Sequence, residues 1–320
     1  MNAFGALPGG VFVFPSIFMQ RLGVLYTLSA YVLWGLFPFY FHALSDIGAL
    51  EILAHRIVWS LVFVALILIV LRRGAWIRDV LRRPKTLLIF TATSALIACN
   101  WGTYVYAIVT GRTLEASLGY FVNPLMSVAL GAFFLRERLR RAQLAAVALA
   151  ACGVIWITWK TGTAPLLGLA MAGSFAVYGL LRKIAPLGSL EGMALESSML
   201  FPAAALYLGW LCSEGTLVFA DAVPGLKGLL MLAGPITTIP LLLFASGVRM
   251  ISYSTVGIIQ YVSPTIVFFI GLFIFGEPFS LNMFIGFVMI WIAVAVFAVE
   301  SLLFTRRIRR EVNRRAAEEN

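Results

Sequence analysis

Ten apolar stretches, each about 20 residues long, run through this chain with short polar gaps between them. A hydrocarbon core about 30 Å thick needs helices of that length, and only helices or closed barrels satisfy every backbone group inside lipid. The stretches lack the alternation of barrel strands, so the sequence predicts an all-α, polytopic membrane protein. Spans are expected at 22–42, 50–71, 86–109, 114–135, 142–159, 164–181, 192–212, 226–248, 252–275 and 281–304. Composition agrees, since 61% of the 320 residues are hydrophobic and 12% are charged, about half the charge of a soluble domain. No long polar segment interrupts the series. The expected organisation is an N-terminal extension (1–21), two halves (22–159 and 160–304) and a basic tail (305–320).

Lysine and arginine give the expected orientation. Of 24 such residues, 20 fall before span 1, in every second gap, or in the tail. Only Arg112, Lys160 and Lys227 occupy the opposite side, and Arg56 lies inside span 2. Positive charge stays on the cytoplasmic side, so both termini are expected there. The net charge of +10 then reads as topology signal and attraction to anionic lipid, with no nucleic-acid partner. The basic loops are expected to be solvated. Cys99, Cys152 and Cys212 sit at no metal-ligand spacing and are expected as small buried apolar residues, with no metal and no cofactor. Residues 1–20 carry no charge, unlike a signal peptide, and translation is expected to start at Met19.

The two halves resemble one another. At an offset of 140, Val122, Pro124, Gly131, Phe133 and Glu137 match Val262, Pro264, Gly271, Phe273 and Glu277. Each half has five spans, an odd number, so the second enters the membrane from the opposite side. Inverted pairs of this kind are a transporter architecture, with the binding site between the repeats.

The residues also carry a family resemblance. Glu51-Ile52-Leu53-Ala54-His55-Arg56, Asn100-Trp101 and the run from Leu114 to Leu125 (LEASLGYFVNPL) resemble RarD-type proteins of the EamA group of drug/metabolite transporters. Thr237-Thr238-Ile239-Pro240 and Gln260-Tyr261-Val262-Ser263-Pro264 are similar as well. The resemblance covers residues 20–305 and implies ten helices in two inverted five-helix repeats, a permease activity and a bacterial inner membrane. It implies a small-molecule substrate, with export favoured, and leaves the cargo open.

Ionisable groups inside a span cost a few kcal/mol and tend to pair or to line cavities. Candidate cavity residues are Glu51, His55, Arg56, Asn100, Trp101, Glu115, Asn123, Glu196, Gln260 and Tyr261. Glu51 and His55 share one helix face, which Trp59 extends. Arg56 is expected to pair with Glu115 or Glu51, either as a structural bridge between spans 2 and 4 or as part of the transport site. Glu115, Gly119 and Asn123 form a stripe on span 4, where Gly119 permits close approach of another helix. Pro124, Pro264 and Pro240 each remove a backbone donor and are expected to break or hinge their helices. Spans 2, 4, 7 and 9 are expected to contribute most to the cavity.

No Gly-x-x-x-x-Gly-Lys loop is present, which argues against direct ATP use. The carboxylates are scattered singly, which argues against a membrane enzyme. The expected activity is secondary transport by alternating access, with proton coupling and uncoupled facilitation both open, and with a monomer or homodimer both open.

Overall fold

The computed structural model describes residues 17–110, 113–162, 166–276 and 280–318. Glu277, the sequence counterpart of Glu137, and the extension up to residue 16 lie outside them. Among the described residues every regular element is a helix. In chain order these are α1 (Ile17–Gly35), α2 (Phe37–His42), α3 (Ala49–Val70), α4 (Trp76–Leu81), α5 (Pro84–Val109), α6 (Thr113–Phe134) and α7 (Arg141–Thr161). They continue with α8 (Leu166–Ile184), α9 (Ser189–Ser213), α10 (Val218–Asp221), α11 (Pro224–Gly247), α12 (Tyr253–Gln260), α13 (Val262–Phe273) and α14 (Leu281–Glu318).

Nine segments among the described residues are long and apolar enough to cross a membrane. The tenth span is α6, 22 residues long. Spans 1 and 9 are each built from two helices. A turn at Leu36 separates α1 from α2, which the single helix expected over 22–42 did not anticipate. Tyr261 separates α12 from α13. Pro264 has no N–H for the Gln260 carbonyl one turn earlier, and the helix ladder opens there. Pro124 and Pro240 behave otherwise: α6 and α11 run through them without interruption. A proline in a membrane helix is accommodated when neighbouring groups and local adjustments take up the freed carbonyl.

Leucine, isoleucine and phenylalanine side chains stand fully outward on most helices, among them Leu66, Ile69, Phe133 and Leu206. Only lipid makes such a surface cheap. Cys99, Cys152 and Cys212 also lie on this exposed side, which corrects the expectation that they are buried.

The helices of the two halves interleave. α3 packs on α9, α6 on α12, and α7 along α14; α5 lies on α8 as α1 lies on α11. Exchanging each helix for its counterpart five spans away leaves this pattern unchanged. Backbone details repeat in the same register. Arg136 after α6 and Gly276 after α13 both have positive φ, 53° and 66°, at the 140-residue offset. Gly48 and Gly188 stand just before α3 and α9, each followed three residues later by a glutamate, Glu51 and Glu191. In that register Arg56 corresponds to Glu196.

Four apolar clusters result among the described residues, two of them large. One joins Tyr31, Val64, Tyr178, Phe244 and Tyr253 from both halves. The other joins Phe121, Ile157, Phe287 and Ile290 around α7 and α14.

Candidate transport site

Arg56 of α3 lies at the interface between the halves. Its Nε donates to Thr237 Oγ1 of α11 at 3.0 Å. Its guanidinium lies 4.6 Å from the Trp101 ring centroid and 5.7 Å from that of Phe41. Tyr104 and Tyr120 are within electrostatic reach of it. The expected pair with Glu51 does not form. The side chain of Glu115, the other expected partner, lies outside the described residues.

Glu51 instead turns to the connection between α9 and α11. Its Oε1 accepts from the Phe219 backbone N–H at 3.3 Å and lies 3.7 Å from His55 Nε2. The His55 ring packs on Phe219 with centroids 5.0 Å apart, and Trp59 on the same ring at 6.2 Å. The face read as cavity-lining thus clasps α10.

Glu196 is buried on α9. Its Oε2 accepts from the Tyr178 hydroxyl at 3.3 Å, and Arg182 Nη1 stands 3.5 Å from Oε1. Arg182 is only 2% exposed, which corrects its expected role as a solvated loop charge. Its Nη2 donates to the Ser189 carbonyl at 3.0 Å. Other basic residues expected in solution are likewise engaged. Arg249 donates to the Arg182 and Ala185 carbonyls, Lys183 to those of Val248 and Ile251, and Arg140 pairs with Glu300. Burial lowers the pKa of Arg249 below its ordinary value; Arg182 lowers it further and Glu191 opposes both.

The remaining candidates hold helices together. Asn100 Nδ2 donates to the Met171 carbonyl of α8 at 2.8 Å. Gln260 Nε2 donates to Tyr31 Oη at 2.6 Å, and its Oε1 accepts from Ser127 at 3.1 Å. The Tyr261 hydroxyl donates to the Phe121 carbonyl at 3.4 Å, joining positions 140 apart. Gly119 meets Gly168 of α8 so closely that a Cβ would lie 2.8 Å from the Gly168 carbonyl oxygen, the close approach expected of it. Sequence reasoning passed over Glu137 as a working group. Its carboxylate accepts from the Tyr253 and Ser254 N–H groups at 2.6 and 2.8 Å, capping the first turn of α12. The signal was available, because Ser252 opens that helix and Glu137 is part of the internal repeat.

A small hollow of ≈ 10 Å³, about the room for one water molecule, lies among Ser60, Trp101, Tyr178, Glu196, Ser197 and Leu241. It is lined by α3, α5, α8, α9 and α11. This corrects the expectation that spans 2, 4, 7 and 9 dominate: α6 and α12 are pressed together, with Gly257 against Pro124. Several buried polar atoms near the interface have no hydrogen-bond partner among the described residues, among them His55 Nδ1, Asn123 Oδ1 and Thr238 Oγ1. Unpaired polar groups are rare in cores that serve packing alone.

Comparison with known proteins places this geometry in context. The EamA-like transporter family matches residues 21–159. Protein RarD of Streptomyces exfoliatus is 41% identical over 290 residues, covering 91% of this chain and 92% of its own. The uncharacterized transporter YojE of Bacillus subtilis is 44% identical over 291 residues, with 89% and 96% covered. The chloramphenicol-sensitive protein RarD of Pseudomonas aeruginosa is 34% identical, with 89% and 96% covered. A crystal structure of another protein, 20% identical, superposes with a TM-score of 0.66 over 87% of this chain and 97% of that one, a likeness of fold. Full-length identity at this level, together with ten spans and a polar interface inside them, establishes that the chain belongs to the RarD-type branch of the EamA-like transporter family.

Proposed function

We propose that the protein is a secondary transporter that moves a small organic molecule across the bacterial inner membrane by alternating access, in the direction of export. One observation carries this reading. The costly polar side chains face one another between the two halves while the outer surface is apolar, as in Arg56 on Thr237, Gln260 on Tyr31 and Asn100 on Met171. Groups so arranged can be exposed to either side by rocking one half against the other. The exchange-invariant helix pairing and the backbone repeats at residues 136 and 276 support an inverted repeat. The lysine and arginine distribution supports cytoplasmic termini. Transport fits the site better than catalysis, because the buried carboxylates are apart and each is held by its own neighbours.

Purified protein in liposomes should show saturable uptake and counterflow for members of a panel of amino acids, nucleosides and amphiphilic drugs. Chloramphenicol belongs in the panel because of the relative's name. Flux that rises linearly with concentration, without counterflow, would replace the carrier with a pore. Glu196, between Arg182 and Tyr178, is the buried acid best placed for proton coupling. An imposed pH gradient should then concentrate cargo, and Glu196→Gln should leave counterflow while abolishing that concentration.

A further inference from the structure

We propose that Arg56 receives the carboxylate of the cargo, so that this chain selects small monoanions with a flat apolar body. The inference rests on the carrier reading and narrows its substrate class. The guanidinium is held on one side only: Nε is engaged by Thr237. Its two terminal nitrogens make no hydrogen bond among the described residues, and the residue keeps part of its surface accessible. No carboxylate of the described residues lies within 4.0 Å of them. Glu51 is turned to α10, and Glu196 stands with Arg182.

A guanidinium inside a span is stable only if something compensates it. One neutral hydroxyl and two ring faces compensate partly. The arrangement leaves the outer edge of the fork, two parallel donors in one plane, aimed at nothing among the described residues. That edge matches the two oxygens of a carboxylate and gives a bidentate, charge-assisted pair. A single positive charge matches a single negative one, which disfavours a phosphate dianion. Trp101 and Phe41 flank the fork, and Tyr120 keeps 45% of its surface beside it. Aromatic walls of this kind accept a flat apolar body on their faces.

The test uses the full chain in lipid nanodiscs, with thermal unfolding as readout, since a ligand of the folded state raises the midpoint. The probes are benzoate, phenylacetate and indole-3-acetate, each with its neutral amide, and phenethylamine as the cation. The acids should bind roughly tenfold or more tighter than their amides, and phenethylamine should not stabilise. Arg56→Gln should abolish the preference, and Arg56→Lys, which keeps the charge without the fork, should retain only part of it. Equal stabilisation by acids and amides, stabilisation by the amine instead, no shift with any acid, or an acid preference surviving Arg56→Gln would each overturn the proposal. Should Arg56→Gln not fold, the comparison of acid with amide on the native chain decides by itself. Acid binding without counterflow in liposomes retires the carrier and leaves the anion site. Saturable counterflow of the amide or amine, with the acid excluded, does the reverse.

Discussion

Arg182 shows what one residue can conceal. Its position at the end of a span counts toward the charge asymmetry, yet its side chain folds inward to the Phe90 ring and to Glu196, which also accepts from Tyr178. Span-end charge reports a side of the membrane and says nothing of direction. Removing one member of a buried ion pair leaves the other uncompensated, at about 3–5 kcal/mol. Arg182→Met should therefore lower unfolding stability by about that amount in a denaturant titration, and Arg182→Met with Glu196→Met should recover most of it. Glu137→Gln should cost about 1 kcal/mol in the same assay, because the carboxylate that caps α12 becomes a neutral, weaker acceptor. Glu51 carries a similar lesson: helical spacing put it and His55 on one face, but only packing shows that the face meets α10.

Among the elements, α6 and α12 cross closely. A Cβ on Gly257 would lie 2.6 Å from the Pro124 carbonyl oxygen, backbone that cannot yield without moving the helix. Gly257→Ala should destabilise by about 1–3 kcal/mol. Gly173→Ala serves as its contrast. The nearest atom to its Cβ would be the end of the Met126 side chain at 3.7 Å, so the exchange should be neutral or stabilise by about 0.5–1 kcal/mol through helix propensity. Thermal unfolding of both variants in one detergent checks the pair. The spans themselves were legible, because apolar length is a property of the chain alone. The prolines were legible only in part. Pro264 opens its helix at Tyr261, while Pro124 and Pro240 do not interrupt theirs, since the outcome depends on what neighbouring helices offer the freed carbonyl.

At the scale of the whole molecule, the two ends of the bundle are unlike. The end rich in arginine is closed by Arg73 with Glu191, Arg182 with Glu196, Ser189 with Ser246, and Glu137 with the start of α12. Toward the other end, Arg56 and Tyr120 keep accessible surface. Arg56 and Glu196, 140 positions apart, thus stand in different environments, one partly accessible and one buried. With Cys99, Cys152 and Cys212 replaced, Tyr120→Cys should react with a membrane-impermeant thiol reagent added outside. Ser197→Cys, at a position only 4% exposed, should resist it from both sides, and should become reactive from the cytoplasm when Glu191→Gln weakens the closed end. Labelling of Ser197→Cys from outside in the unaltered background would reverse this assignment.

The sequence alone determined the solvent of this protein, the number of its spans and the side on which its positive charge gathers, because apolar length and charge placement are read along one dimension. It also carried the prolines, glycines and glutamates that match between the two halves at an offset of 140 residues. The tertiary structure decided which polar groups meet. The contacts that define the site join residues far apart in the chain, Arg56 to Thr237 across 181 positions and Gln260 to Tyr31 across 229. In lipid every span is apolar on nearly all faces, so periodicity carries little information about which face turns inward, and only the packing of helices against one another selects it.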